Sequence, residues 1–276
     1  MRKITLIAAG MMLGGSVTMM PVMAADDDIS EVAGGGAGFI GLGAAYKPDY
    51  EGSDDYEASI APFGRYNWAS GRYVQLGGTQ GTERAARLKA NILRKEGRDG
   101  LELGPVLQYR MKRDDDVDNN KVGNMKEVDA ATEAGAFIGF TSGNWSGNIT
   151  YATDISSEHD GSLMYFNGGY RVPVSDRFDM ILGAHVTWAD DDYMDTYFGV
   201  SNSDSARSGL KKYSASSGIK DAGFSVAGLY RFNKTWGIAG LLGYTRMLND
   251  AEDSPLVDPV GDENQMKAIA AVTYSF

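Results

Sequence analysis

The sequence contains no cysteine, only two histidines and seven prolines. After residue 24 it also has no apolar run long enough to cross a membrane as a helix. The absence of cysteine excludes a disulfide framework, a cysteine-ligated zinc site and a thiol nucleophile. Cations are few, since 26 Lys and Arg residues face 37 Asp and Glu residues and give a formal net charge of −11. A chain this acidic lacks the basic surface that binding to nucleic-acid phosphates requires.

Glycine and aromatic residues, by contrast, are abundant. The chain has 36 Gly in 276 residues, with 15 Tyr, 10 Phe and 4 Trp, against a usual glycine share of about 7%. Its mean hydropathy is −0.29 although 43% of the residues are hydrophobic. This combination disfavours a helical membrane protein. It is compatible with a membrane β-barrel, because barrel strands are apolar only at every second residue.

The N-terminal end reads as a secretory signal peptide. Residues 1–3 are positive, residues 4–20 are apolar and uncharged, and Ala24 follows as a small residue at a cleavage site. The alternative is an uncleaved anchor helix, for which the apolar stretch is short. Loss of the two leader cations would change the formal charge from −11 to −13. We divide the remainder into a short periplasmic stretch at residues 25–33 and a barrel domain at residues 34–276.

Apolar residues then alternate with a period of two, which is typical of strands. One face of residues 178–189 carries Phe178, Met180, Leu182, Ala184, Val186 and Trp188. Similar segments of about ten residues recur, as a tilted strand needs to cross a bilayer, whereas strands of globular proteins usually have about 5–6. The pattern predicts an all-β fold, a transmembrane antiparallel up-and-down β-barrel.

Twelve strands are predicted. They start near Gly34, Tyr56, Arg72, Arg84, Asp99, Ala131, Trp145, Gly161, Arg177, Ala222, Thr235 and Met266. Short turns alternate with long, Asp-rich connections, the longest at residues 112–130, 189–221 and 248–265. Outer-membrane barrels have short periplasmic turns and longer outer loops. An even strand number therefore places every short turn on the periplasmic side.

Aromatic residues cluster at the ends of the predicted strands. Near the short turns these are Trp68, Trp145, Phe178, Phe232, Trp236 and Phe276, and near the other ends they are Tyr46, Tyr109, Tyr151, Trp188 and Tyr244. Two such bands indicate the interfacial girdles of a membrane barrel, although aromatic residues favour any sheet. Pro62 and Pro105 fall inside predicted strands, where each removes a backbone donor, so we expect bulges or shifted strand ends there.

The opposite faces of the predicted strands carry charged residues. They are Arg65, Arg87, Lys89, Glu102, Arg110, Asp154, Arg171, Asp179, His185 and Arg231. In an open lumen these side chains would set the ion preference of a pore, whereas in a narrow lumen they would pair into a plug. Twelve strands lie between the filled eight-stranded barrels and the open sixteen-stranded ones, so the sequence leaves both possibilities open.

No catalytic, cofactor or metal site is predicted. We interpret His185 as a lumen-lining residue rather than the base of a barrel lipase. His159 falls in a predicted outer turn, where the alternative is a protease at the rim. The Asp runs at 26–28, 114–116 and 190–192 read as solvated loop charge. The alternative for them is binding of Ca²⁺ or Mg²⁺, including the ions that bridge lipopolysaccharide phosphates.

Five short motifs, in order along the chain, resemble the MltA-interacting protein family, also called MipA/OmpV. They are Pro48–Ser53; Gly100-Leu101 with Gly104-Pro105, Tyr109-Arg110 and Arg113-Asp114; Tyr197–Val200 with Ser208–Leu210 and Tyr213; Ser254–Leu256; and Tyr274–Phe276. Lys112 departs from the pattern, which often has a small residue there. The resemblance implies an outer-membrane barrel. In one branch it implies a scaffold joining a murein lytic transglycosylase to a bifunctional penicillin-binding protein, while other branches resemble porins or adhesion proteins.

We therefore predict a non-enzymatic protein without a cofactor in the outer membrane of a Gram-negative bacterium. Its expected partners are outer-membrane lipid and lipopolysaccharide, the barrel-assembly machinery and, as the resemblance implies, the two murein enzymes. One alternative is a porin-like channel for small solutes with a basic lumen. Another is an enzyme or surface adhesin that uses the outer loops.

Overall fold

The structure, a computed structural model, describes residues 36–276, which form a closed antiparallel barrel of twelve strands. The strands are β1 Ala37–Pro48, β2 Tyr56–Asn67, β3 Tyr73–Gly78, β4 Ala85–Asn91, β5 Gly100–Arg110, β6 Ala131–Ser142, β7 Trp145–Asp154, β8 Ser162–Ser175, β9 Phe178–Ala189, β10 Gly218–Arg231, β11 Trp236–Met247 and β12 Asn264–Ser275. Each strand pairs with its neighbours in sequence, and β1 pairs with β12 to close the barrel. The predicted fold class is confirmed. The predicted signal peptide and the stretch 25–33 lie outside the described residues.

The long loops contain three short helices, α1 Asn120–Gly123, α2 Asp191–Phe198 and α3 Asn202–Ser208. Side chains cap all three: Asn119 accepts hydrogen bonds from the Lys121 and Val122 N–H groups at the start of α1. Asp190 accepts one from the Tyr193 N–H, and Ser201 accepts one from the Asp204 N–H. Gly209 ends α3 at φ +74°, a conformation that glycine adopts without strain. In residues 36–276, no helix has both the length and the apolar character needed to span a membrane.

Outward and inward faces of the strands differ sharply. Leu42 and Leu101 are 61% and 63% exposed, whereas the inward-facing Phe39 and Val106 are 2% and 3% exposed. Phe39 belongs to an interior apolar cluster on β1, β2, β10, β11 and β12. The exposed apolar surface is the one that lipid covers in a membrane barrel.

The bulges expected at Pro62 and Pro105 are absent, because the β1–β2 and β5–β6 registers run unbroken past both residues. Trp68 donates its N–H to Arg72 across the β2–β3 turn. Alternate residues of a strand direct their backbone N–H and C=O groups toward the same neighbouring strand, so the nitrogen of Pro62, like that of Trp68, is directed toward β3. The β2–β3 ladder begins only at Gly64, and Pro62 therefore deprives no partner of a donor. The nitrogen of Pro105 is directed toward β4, and the β4–β5 ladder ends one residue away, at the pair Lys89 and Val106.

The prediction for the start of β10 was wrong by four residues, since β10 begins at Gly218 rather than Ala222. The β9–β10 register shifts between Ile219 and Asp221. A bulge can turn two consecutive side chains toward one face, and here both Lys220 and Asp221 are fully buried. This irregularity breaks the alternation on which the prediction relied.

Candidate functional site

The long connections fold together over one end of the barrel and form what we call the outer cap. It comprises residues 49–55, 79–84, 111–130, 155–161, 190–217 and 248–263. The outer cap has its own apolar core, which contains Tyr50, Val117, Val122, Met125, Val200, Leu210 and Leu256. Loops that bury such a core are packed against one another, as a folded lid would be.

Four of the five sequence motifs meet in or beneath this cap. The Tyr50 hydroxyl donates to the Leu256 carbonyl at 3.1 Å across 206 residues of sequence. The Ser254 hydroxyl donates to the Phe198 carbonyl at 2.6 Å, and Arg113 donates to the Tyr197 carbonyl at 2.9 Å. The residues that carry the family resemblance therefore hold the outer cap together.

Glu51 connects the outer cap to the barrel wall. Its Oε1 accepts hydrogen bonds from the Tyr193 hydroxyl at 2.6 Å and from Arg110 Nη1 at 3.1 Å. Its Oε2 accepts one from Lys220 Nζ at 2.8 Å. One buried carboxylate thus joins loop 49–55 to α2 and to two strands.

Arg110 and Glu133 form a buried ion pair directly beneath the outer cap. Arg110 Nε lies 2.6 Å from Glu133 Oε1, and the two residues are 1% and 0% exposed. Gln108 donates to the other Glu133 oxygen at 2.6 Å, and His159 Nε2 lies 3.2 Å from Oε1. Additional hydrogen bonds of this kind are what a buried pair needs to offset its desolvation.

A second ionic cluster holds the β3–β4 loop inside the lumen. Lys220 Nζ lies 2.6 Å from Asp221 Oδ2 and 3.1 Å from Glu83 Oε1. Lys267 Nζ, from β12, donates to the carbonyls of residues 79, 80 and 81 at 3.1–3.2 Å. The loop is therefore drawn across the lumen instead of extending outward.

Electrostatics in the outer cap follow from burial and hydrogen bonding. Burial would raise the pKa of Asp204, but the Ser201 hydroxyl, the Lys126 N–H and Arg207 outweigh it and hold that pKa below its usual range. Burial, together with the charge of Asp250, raises the pKa of Tyr213 to about 12. Both groups keep their ordinary charge at neutral pH, with Asp204 ionised and Tyr213 neutral.

The predicted lumen-facing residues occupy four different environments. Arg110 and His185 lie in the network beneath the cap, whereas Arg171 and Arg231 both bind Asp179 at 2.8 Å near the short-turn end. Asp154 lies at the outer end of β7, next to the cap, where it accepts the Ser156 and His159 N–H groups. The other four are Arg65, Arg87, Lys89 and Glu102, on strands of one wall. Glu102 accepts hydrogen bonds from the Tyr73 hydroxyl at 2.6 Å and from Lys95 at 2.9 Å.

Some inward-facing positions below the cap are not fully buried. Lys89, Asn148, Asn167 and Ser225 occupy inward-facing strand positions and yet are only half-buried. We call the space that they border the inner chamber. The lumen thus combines a paired ionic plug at one end with a less densely packed space beneath it.

Neither histidine has the geometry of a catalytic triad. His185 Nε2 lies 3.3 Å from Thr245 Oγ1 and 3.7 Å from Asp221 Oδ1, whereas a triad places the hydroxyl and the carboxylate on opposite ring nitrogens. The His159 ring accepts the Gly161 N–H at Nδ1 and faces Glu133 at Nε2, so both nitrogens have structural partners.

The two described Asp runs combine residues with structural contacts and exposed ones, since Asp115, Asp116 and Asp192 are exposed. Asp190 caps α2, Asp114 pairs with Lys112, and residues 26–28 lie outside the described part of the chain. Within residues 36–276, no three His, Asp or Glu side chains come together as metal ligands would.

The predicted interfacial aromatic residues lie at the strand ends. Trp68, Trp145, Trp236 and Phe276 are 46%, 62%, 49% and 55% exposed, and Trp188 is half-buried. Trp145 packs on Tyr170 with ring centroids 4.6 Å apart. These rings face outward, as girdle residues would.

Sequence reasoning missed three residues that hold the plug: Glu51, Tyr193 and Lys220. All three were assigned to loops, which the alternation pattern does not describe. One signal was available for Glu51, because it lies in the motif Pro48–Ser53. The Tyr193 and Lys220 side chains had no such signal.

Comparison with known proteins gives consistent results. The family model of MltA-interacting protein MipA matches residues 40–276. Proteins named MltA-interacting protein from Escherichia coli K12 and Shigella flexneri are each 33% identical over 94 residues, which span 34% of this chain and 34% of each relative. The match thus covers about a third of the length of these relatives. Outer membrane protein Omp26La of Vibrio anguillarum is 26% identical over 64% of this chain and 67% of its own.

Solved structures with a similar barrel include the NanC porin, which is 10% identical with a TM-score of 0.46 over 85% of this chain and 98% of the porin. An outer membrane channel from Pseudomonas putida F1 is 11% identical with a TM-score of 0.46, over 91% of this chain and 99% of the channel. Neither likeness bears on function.

Proposed function

Because the chain belongs to the MltA-interacting protein MipA family and is a β-barrel of the outer membrane, we propose that it is a non-enzymatic scaffold in peptidoglycan assembly. In this role it would bring a murein lytic transglycosylase together with a penicillin-binding protein. The observation that carries the proposal is the name of the relatives from E. coli and Shigella, which states an interaction with MltA.

The charge distribution supports a docking face at the periplasmic end. The outer cap contains 24 acidic and 8 basic residues. The short connections at the other end of the barrel, residues 68–72, 92–99, 143–144, 176–177 and 232–235, contain 3 acidic and 6 basic residues. Arg72, Arg94, Arg177 and Lys234 are exposed on these turns. A basic rim of this kind suits an acidic face on a periplasmic partner, since complementary charge steers and orients association.

Crosslinking in intact envelopes tests the scaffold. The variant carries Arg94→Glu and Lys234→Glu, and the matched control carries Lys211→Glu and Lys212→Glu in the outer cap. We expect the wild type and the control to co-purify a lytic transglycosylase, and the rim variant to lose it. Absence of both murein enzymes from the crosslinked wild-type sample would contradict the proposal.

A channel is the second candidate, and the three cations Arg65, Arg87 and Lys89 on one wall of the lumen favour it. The packed outer cap argues against passive flow, because the ionic clusters of Glu51 and Lys220 cross the lumen. Planar-bilayer recording of purified protein separates the two ideas. A channel predicts conductance steps with anion preference, whereas a sealed scaffold predicts none in several salts.

A further inference from the structure

One wall of the lumen carries three cations that form no ion pair with any described residue. They are Arg65 on β2 and Arg87 and Lys89 on β4. Within residues 36–276, no Asp or Glu oxygen lies within 4.0 Å of these three, although ten other cations and both histidines are so paired. We call these three residues the basic wall.

The strand registers bring the basic wall together. Arg65 is opposite Gln75, and Gln75 is opposite Lys89, so both cations lie in one row across β2, β3 and β4. Arg87 is two residues from Lys89 on the same face of β4. Because all three residues lie in strands, their arrangement does not depend on the conformation of a loop.

Aromatic rings support each cation. The Arg65 guanidinium lies 3.5 Å from the centre of the Tyr73 ring, and the Arg87 guanidinium lies 4.1 Å from that of Tyr165. Lys89 Nζ lies 5.0 Å from the Phe137 ring centre. Cation–π contacts of this kind offset part of the cost of burying a charge and fix its position.

Hydrogen-bond donors remain unused on this wall. Arg65 Nε donates a hydrogen bond to Asn67 Oδ1, and Arg87 Nε donates one to Gln108 Oε1, each at 2.7 Å. Each of the two arginine residues is only 7% exposed. Their Nη1 (Arg65) and Nη2 (Arg87) atoms are buried and yet have no hydrogen-bond partner among the described residues. Buried charged donors without partners are costly and are normally satisfied.

The nearby carboxylate does not serve these donors. Both Glu102 oxygens are engaged, one by Tyr73 and the other by Lys95. Gln108, which accepts the hydrogen bond from Arg87, itself donates one to Glu133. The wall therefore holds two guanidinium groups, each with an unused donor, beside the half-buried Lys89, which borders the inner chamber.

We propose that the basic wall is a binding site for a small oxyanion, a solute bearing a carboxylate or a phosphate group. Planar guanidinium groups donate paired hydrogen bonds to such oxygens, and Lys89 adds a point charge. The outer cap closes the other end of the lumen, so the anion enters from the periplasmic side. Binding at this site requires neither transport through the cap nor a murein partner. Failure of the scaffold proposal would therefore not affect the binding-site proposal, and the reverse is also true.

Titration calorimetry on the purified, detergent-folded full chain tests the site at low salt. The probes are glucuronate and inorganic phosphate, with glucose as the neutral counterpart of glucuronate. We expect at least one of the two anions to bind and glucose not to bind. Which anion binds more tightly distinguishes a carboxylate ligand from a phosphate ligand.

Two variants and a control locate the binding. Arg87→Gln and Lys89→Gln should each weaken anion binding about tenfold, the factor that loss of one charge-assisted hydrogen bond gives. Arg246→Gln removes an exposed cation at the outer end, which pairs with Glu252, and should bind as the wild type does. Lys89→Gln keeps both buried guanidinium groups, so it remains informative if Arg87→Gln misfolds.

Three results would overturn the proposal. They are absence of binding by both anions to the wild type, equal binding of glucose and glucuronate, and an equal loss in Arg246→Gln and Lys89→Gln. The last result would mean that overall charge, rather than this wall, attracts the anion.

Discussion

Arg110 is a buried cation that ties the outer cap to the barrel wall. It touches a wall carboxylate, Glu133, and a cap carboxylate, Glu51, at once. Removing one partner of a buried pair leaves uncompensated charge, which costs about 3–5 kcal/mol. The residue is therefore more than a lumen-lining charge, because it links the outer cap to the strands.

Arg110→Gln should accordingly lower the free energy of unfolding by about 3–5 kcal/mol, measured by urea titration in lipid vesicles. Arg246→Gln is the control, since its ion pair with Glu252 is exposed to solvent, and it should leave the urea midpoint almost unchanged. Equal shifts in the two variants would contradict a special role for the buried pair.

Asp204 gives the outer cap a pH dependence of defined sign. Hydrogen bonds from Ser201 and Lys126 depress its pKa below the ordinary value of 3.8. A depressed carboxyl pKa stabilises the folded cap above pH 3.8, and this stabilisation is lost as pH falls through the lower folded pKa.

Amide hydrogen exchange, corrected for intrinsic rates, checks this sign. Protection of α3 should fall as the pH decreases from about 5 toward 3 in the wild type. Asp204→Asn should show weak protection across the whole range. Unchanged α3 protection down to pH 3 would show that the carboxylate does not hold the helix.

At the scale of the strand, glycines that look alike in sequence have different neighbours. A Cβ added at Gly135 on β6 would lie 1.8 Å from the Tyr151 carbonyl oxygen, whereas one at Gly168 on β8 would meet nothing within 4 Å. Only the first position requires the close approach that glycine allows.

Gly135→Ala should therefore cost about 1–3 kcal/mol through a forced backbone shift. Gly168→Ala should be neutral or slightly stabilising, because alanine restricts the unfolded chain. The temperature at which the folded band disappears on a semi-native gel measures both. A lower temperature for Gly168→Ala than for Gly135→Ala would contradict the geometry.

The strands themselves were predictable because lipid imposes alternation on them. Trp145 and Ala131 begin β7 and β6 as predicted. The start of β10 was not predictable, because a bulge near Lys220 breaks the period of two. Pro62 looked like a defect only because the sequence cannot reveal that the β2–β3 ladder begins at Gly64.

At the scale of the whole molecule, the barrel is polarised. Carboxylates dominate the outer cap, cations dominate the short-turn rim, and the lumen changes from a paired plug to the unpaired basic wall. The sequence predicted which charges face inward but left open whether they pair. Pairing depends on loop residues such as Glu51 and Glu83, whose contacts with Lys220 join segments far apart in the chain.

We infer that the outer cap seals the lumen, and the cysteine-free chain allows this to be measured directly. Ser225→Cys places one thiol at the inner chamber, and Lys211→Cys places one on the cap. Both proteins are inserted in sealed vesicles with the cap outward and treated with a charged thiol reagent. We expect external reagent to label Lys211→Cys but not Ser225→Cys, and reagent trapped inside the vesicle to label Ser225→Cys. Labelling of Ser225→Cys from outside, as fast as Lys211→Cys, would contradict it.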